Sequence, residues 1–223
     1  MTARAPRPPR RSGAAVVAAL ALAGCGSAGV AELPPPAGPR EAPLMAAAPE
    51  GRLVARAAAP AAVAAGLAAQ ATSVAVERGR RAVVRPRERV VELTDGRGGR
   101  EVATAGVGPT RAAADDRWLW VTDTQGDALL VFRTRPKLEL VRRVYLPGGP
   151  YAIAFDSERL RLWVTLTATN ELVELPAHGR PRELERFATV RGPEGVAVDP
   201  ASGGIYVAGA EEELQLLDPS PGS

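Results

Sequence analysis

One cysteine, one histidine, one asparagine and one lysine occur in 223 residues, and aromatic residues make up 4% of the chain. A single thiol and a single imidazole exclude a Cys/His zinc cluster, an iron–sulfur ligand set and a disulfide framework within the chain. Long hydrophobic runs are missing as well. The N-terminal Ala/Val/Leu stretch at residues 14–23 is about half the roughly 20 residues that a bilayer core demands. A charged content of 24% argues against both a multi-span membrane protein and a strongly charged disordered tail. Neither sign of charge dominates, with 28 Lys+Arg against 25 Asp+Glu. Every basic residue except Lys137 is arginine in a chain full of Ala, Gly and Pro, a pattern of coding bias rather than of nucleic-acid affinity.

What is present begins with Arg4, Arg7, Arg10 and Arg11 followed by the uncharged residues 14–23, the n-region and h-region of an export signal. Residues 1–24 are read as that signal. It ends in Leu22-Ala23-Gly24-Cys25, which resembles the lipobox of bacterial lipoproteins. The resemblance implies a diacylglyceryl and palmitoyl anchor on Cys25 and an extracytoplasmic protein held to the cell membrane. Arg10-Arg11 lacks the bulky apolar residues usual after a twin-arginine pair, so the Sec route is favoured. Acylation consumes the one thiol. Cleavage removes four arginines and no acid, leaving 24 basic residues against 25 acidic ones.

Residues 25–70 are rich in Ala and Pro and read as a disordered tether. Residues 52–56 are a strand candidate within it, and alanine is dense enough over 57–69 for a short helix.

From residue 71 to 219 one pattern returns about every forty residues. Gly108-Pro109, Gly149-Pro150 and Gly192-Pro193 each precede a small-or-apolar strand ending in Asp115, Asp156 or Asp199. A polar turn then leads to Leu119-Trp120-Val121, Leu162-Trp163-Val164 or Ile205-Tyr206-Val207. Third strands start near Ala128, Glu171 and Glu213, and fourth strands near Leu138 and Arg182. A weaker copy over 72–103 keeps the valine rhythm but lacks the Gly-Pro and the aromatic. Four short strands per repeat predict an all-β fold, a β-propeller of about four four-stranded blades near 71–108, 109–149, 150–192 and 193–219. The last blade has no fourth strand of its own. Either 52–56 supplies it, closing the array, or the array is partial or open, with edges that invite self-association.

The run Gly-Pro-Glu-Gly-Val-Ala-Val-Asp at 192–199 with Gly-Ile-Tyr-Val-Ala at 204–208 resembles YVTN-type repeats of bacterial surface propellers and their NHL-type relatives. That resemblance implies fold and setting, since function in such folds resides in grafted loops. Trp120, Trp163 and Tyr206 share one repeat position and are expected between blades, while Trp118 lies off it and is a candidate for exposure.

Chemistry is sparse. His178 sits in a turn-like Pro176-Ala177-His178-Gly179, and no nucleophile–base set or phosphate loop accompanies it. Asp115, Asp116, Asp123 and Asp127 are candidates for oxygen ligands to a cation, against the alternative that they bond blade turns. Arg78, Arg80 and Arg81 crowd the first blade and Glu211, Glu212 and Glu213 the last, as candidate interaction residues or as a contact between the two ends. The expectation is a non-catalytic binding or scaffold module for a protein or cell-envelope ligand, needing no cofactor and no nucleic acid. The alternative is a metal-dependent propeller enzyme of gluconolactonase or streptogramin-lyase type. Against it stand the lone Asn170 and the lack of an acidic set recurring at the blade centres.

Overall fold

Alternating apolar and polar residues between Gly and Asp turns produce sixteen strands in the computed structural model, which describes residues 38, 50–68, 73–76 and 79–218. The export signal, Cys25, most of the tether and Arg78 lie outside the described residues. Arg52–Leu53 (β1) and the helix Ala61–Ala68 (α1) come first. The first sheet is Ser73–Val76 (β2), Arg80–Arg85 (β3), Val90–Thr94 (β4) and Arg100–Thr104 (β5). The second is Pro109–Ala114 (β6), Trp118–Asp123 (β7), Ala128–Arg133 (β8) and Glu139–Tyr145 (β9). The third is Pro150–Asp156 (β10), Arg161–Leu166 (β11), Glu171–Pro176 (β12) and Glu185–Ala188 (β13). Gly195–Val198 (β14), Ile205–Ala208 (β15) and Leu214–Leu217 (β16) make the fourth. Each sheet is an antiparallel meander, and β1 supplies the fourth sheet's outer strand, with Arg52 opposite Leu216 and Leu53 opposite Gln215. Among the described residues no helix is long and apolar enough to cross a membrane.

The sheets pack face to face in chain order. Between the first and second lie Val84, Leu93, Leu119, Leu130 and Phe132. Trp120 fills the seam between the second and third, and Trp163 that between the third and fourth. Rings of this size bury about 150–250 Å² each, so the aromatic position carries much of the inter-sheet adhesion. Tyr206 occupies the same position in the fourth sheet, yet among the described residues no fifth sheet meets it. Its neighbours are Val63 and Leu67 of α1. Alanine favours this helix. Gly66 lets it lie against Ala197, where an added Cβ would stand 3.0 Å from the alanine's own. Residues 50–68, expected at the end of the tether, therefore belong to the packed array.

The first sheet ends the array differently. Ala82 and Val84 face the second sheet, so alternation turns Arg81, Val83 and Arg85 away from it. Arg85, Arg100 and Glu92 form an ion-pair group there, with N···O distances of 3.0 Å and 2.9 Å.

The inner strands β6 and β10 begin at the proline of a Gly-Pro and carry register shifts, at Pro109/Ala112 and Pro150/Ile153. Threonines on the second strands satisfy the backbone loosened by these bulges. Thr122 Oγ1 accepts from Arg111 N at 3.0 Å, and Thr165 Oγ1 from Ala152 N at 2.9 Å. Thr122 and Thr124 also donate to the Tyr151 and Pro150 carbonyls of the next sheet, at 2.7 Å and 2.6 Å.

Candidate functional site

The four candidate aspartates sit at opposite ends of β7. Asp115 and Asp116 precede it, while Asp123 ends it and Asp127 follows. Six strand residues separate the pairs by roughly 20 Å, too far to share one ion. Three of the four carboxylates are engaged by backbone, and Asp116 is exposed. Asp115 Oδ1 accepts from Arg117 N and Trp118 N at 2.7 Å and 2.6 Å, closing the β6–β7 turn as Asp156 closes β10–β11. Asp123 is wholly buried; it accepts from Val107, Gly108 and Gly126 N–H groups and meets Arg143 at 3.2 Å. Asp127, in the left-handed region at φ 47°, accepts from Gly148 N and Gly149 N. Asn170 plays the same part for Gly192 N, at φ 55°. Asp123, Asp127 and Asn170 thus fasten the Gly-Pro crossings between sheets. Among the described residues no three His, Cys, Asp or Glu side chains converge as a metal site would require.

The candidates at the two ends are not brought together through Arg80. Its guanidinium reaches Glu101 at 3.3 Å and the Thr134 carbonyl at 2.8 Å, so it ties the first sheet to the second. Arg81 is exposed on the first sheet's free face. Glu211 and Glu212 are exposed and Glu213 half-buried in the β15–β16 turn, where Glu213 O accepts from Gly209 N.

Trp118 marks a groove. The seam between second and third sheets opens at the start of β7 into a cavity of about 210 Å³. Its floor is the buried Trp120, Leu129 and Leu162. One wall carries Trp118, Val131, Arg133, Val141 and Arg142 from the second sheet. The other is the 176–181 segment after β12. That segment is held over the groove from both sides: Arg142 Nη1 donates to Gly179 O at 3.2 Å, and His178 Nε2 stands 3.4 Å from Asp115 Oδ2. The His178 ring lies 6.2 Å from that of Trp120. His178 is therefore a groove residue rather than an isolated turn. Sequence spacing offered no signal for this, since Asp115 and His178 are far apart along the chain.

At the centre, the four inner strands and Gly66 of α1 line a narrow channel of about 280 Å³. Small residues, Ala112, Ala113, Ala154 and Ala197 among them, make it slender. Its one charge is Arg111, whose guanidinium lies 5.0 Å from the centre of the Tyr151 ring and donates to the Tyr151 hydroxyl at 3.2 Å. Burial pushes the Tyr151 phenol up, against the opposing pull of Arg111.

Four radially packed, four-stranded antiparallel meanders whose inner strands surround one channel define a β-propeller-type protein. Solved structures that superpose on it bear this out. They include a catalytically inactive variant of virginiamycin B lyase from Staphylococcus aureus with quinupristin, at 14% identity over 70% of this chain and 59% of that one, TM-score 0.50. A protein from Lactobacillus plantarum matches at 12% identity over 66% of this chain and 55% of its own, TM-score 0.52. Hydrazine synthase of Kuenenia stuttgartiensis matches at 15% identity over 63% of this chain and 43% of its own, TM-score 0.54. The likeness is one of fold, and the chain spans 43% to 59% of the length of these three. No family model and no curated protein matches the sequence.

Proposed function

We propose that the protein is an extracytoplasmic lipoprotein, anchored through Cys25, whose YVTN/NHL-type repeats form a non-catalytic binding module for a protein or cell-envelope ligand. The observation that carries the binding reading is the Trp118 groove: an apolar, partly covered cleft between two rigid sheets, rimmed by Arg133, Arg142 and His178. A half-buried tryptophan and an exposed arginine beside a desolvated floor, here Trp118 and Arg142, are the residue types that dominate binding energy at interfaces. Three of the four aspartates that an enzymatic cation site would use are occupied with backbone, and the pairs lie at opposite ends of β7, which favours binding over the metal-dependent alternative.

The test has two parts on the full chain in a bacterial host. Metabolic labelling with an alkyne palmitate analogue is expected to mark the wild type and not Cys25→Ala, with membrane fractionation following the label. A photo-cross-linking residue at Val141 is expected to give a defined envelope adduct that Trp118→Ala abolishes. Equal labelling of both proteins would refute the anchor, and a missing or Trp118-independent adduct would refute the binding site.

A further inference from the structure

The groove also restricts the chemistry of what it binds. A cavity of about 210 Å³ with a floor of Trp120, Leu129 and Leu162 accommodates one large apolar side chain, not a folded surface. Its surroundings are cationic. The three segments that form the lips, 115–118, 133–143 and 177–184, hold eight Arg or Lys against four Asp or Glu, in a chain whose exported part is balanced. Three of the four acids are already engaged, Glu139 by Arg133 at 2.6 Å, Glu183 by Arg186 at 2.7 Å and Asp115 by the β6–β7 turn. Arg142 meets the Gly179 carbonyl and, among the described residues, no carboxylate. Arg117, Arg180 and Arg182 are exposed beside the groove, again with no carboxylate partner among the described residues.

Next to the groove runs β9, hydrogen-bonded on one side to β8 and, among the described residues, to no strand on the other. It exposes Leu140 by 42%, Val141 by 40% and Tyr145 by 76%. An open edge with apolar side chains is a template for an extended partner.

We propose that the Trp118 groove takes an extended acidic peptide segment of a partner protein. One leucine- or phenylalanine-sized side chain enters the cleft, and neighbouring carboxylates face Arg117, Arg142, Arg180 and Arg182. An anionic wall polymer would satisfy the arginines but has no side chain for the apolar floor, so the peptide is favoured. This ligand class rests on the binding-module reading above. The apolar anchor should contribute a roughly 10- to 100-fold gain in affinity, and the carboxylates a strong salt dependence.

Full-length protein in detergent micelles would be titrated into a fluorescein-labelled peptide, Glu-Glu-Asp-Phe-Glu-Asp-Glu, and followed by anisotropy. Saturable binding is expected that weakens with salt, falls at least tenfold when the peptide's Phe becomes Ser, and disappears when its acids become Lys. Val141→Glu, at an exposed edge position, should weaken binding at least tenfold while leaving the melting curve in place. Trp118→Ala should act in the same direction. Absence of saturable binding, or binding unchanged by Val141→Glu, would overturn the proposal. Equal binding of the Ser peptide would overturn it in favour of a polyanion surface. If the peptide fails while the Val141 cross-linker still captures a Trp118-dependent adduct, the ligand class is wrong and the binding module stands. Failure of both removes the module as well.

Discussion

Gln215 should be the side chain on which the closure of the fourth sheet depends. It is wholly buried, and its amide joins three segments. Oε1 accepts from Val190 N at 3.0 Å, and Nε2 donates to Ala188 O at 3.0 Å and to Glu50 O. Glu50 N in turn donates to Ala188 O, and Ala188 N to Glu50 Oε1, each at 3.0 Å. Gln215→Ala leaves the Val190 N–H and the Glu50 carbonyl without these partners, whereas Ala188 O keeps Glu50 N. Two stranded backbone groups at about 1–3 kcal/mol each give a loss near 3 kcal/mol. For a domain of this size that is a fall in Tm of roughly 6–12 °C. Part of the loss should appear before global melting, because β1 contributes two residue pairs and opens more easily than the sheets. Arg52 and Arg56 are trypsin sites within the segment released. Cleavage there at 25 °C should accelerate in Gln215→Ala, and Gln215→Leu, which fills the space without the bonds, should behave alike. A Tm within about 2 °C of wild type and unchanged cleavage would refute the reasoning, and a stable Gln215→Leu would mean that packing, not bonding, is the role.

Two further outcomes follow from single residues. Gly51 has φ 67°, and an added Cβ would collide with the Leu216 carbonyl, so Gly51→Ala should cost roughly 2–4 kcal/mol of clasp stability and speed trypsin cleavage at Arg52 at least tenfold; unchanged cleavage would count against the clasp. Glu92 is held down at about 2, from an ordinary 4.5, first by Arg100 and then by Arg85, with partial burial opposing. A folded pKa below the unfolded one means stability fully present above about pH 4.5 and lost as pH falls through about 2. The Tm advantage of wild type over Glu92→Gln should therefore be greatest above pH 4.5 and vanish near pH 2, and a pH-independent difference would exclude the ion-pair origin.

Legibility in the sequence followed locality. Strands and turns were readable because each depends on neighbours in the chain: the alternation in Leu119-Trp120-Val121, the Gly-Pro starts, and Asp115, Asp156 and Asp199 capping turns within three residues. The aromatic position was readable because it repeats. The first sheet was faint because it lacks that aromatic, with Ala82 facing the second sheet instead. What escaped depends on distant partners. Thr122 looks like an ordinary strand residue until its hydroxyl is seen on the Tyr151 carbonyl. Gln215 reads as a polar interruption of Leu214-Gln215-Leu216-Leu217, and its three partners come from as far away as Glu50. Of the groove, Trp118 was visible because it breaks the repeat register. Arg142 and His178 were not, because only the packing of one sheet on the next brings Gly179 to one and Asp115 to the other.

Neither end face of the packed sheets is built to take a further sheet. In the second sheet the cross-strand pairs Leu119–Phe132 and Val121–Leu130 are buried against the first. The first sheet's outward pairs are Arg81–Thr94 and Val83–Glu92, with Arg85 and Arg100 around the carboxylate. Laying another sheet on this face would desolvate that group, at a cost of several kcal/mol per ion unless new partners met it. At the other end α1 occupies the apolar face with Val63 and Leu67, turning alanines outward. Neither face offers the broad aliphatic layer that joins the sheets internally. At the seam of the second and third sheets a loop rather than a sheet forms the second wall, and it leaves the apolar floor under Trp118 open.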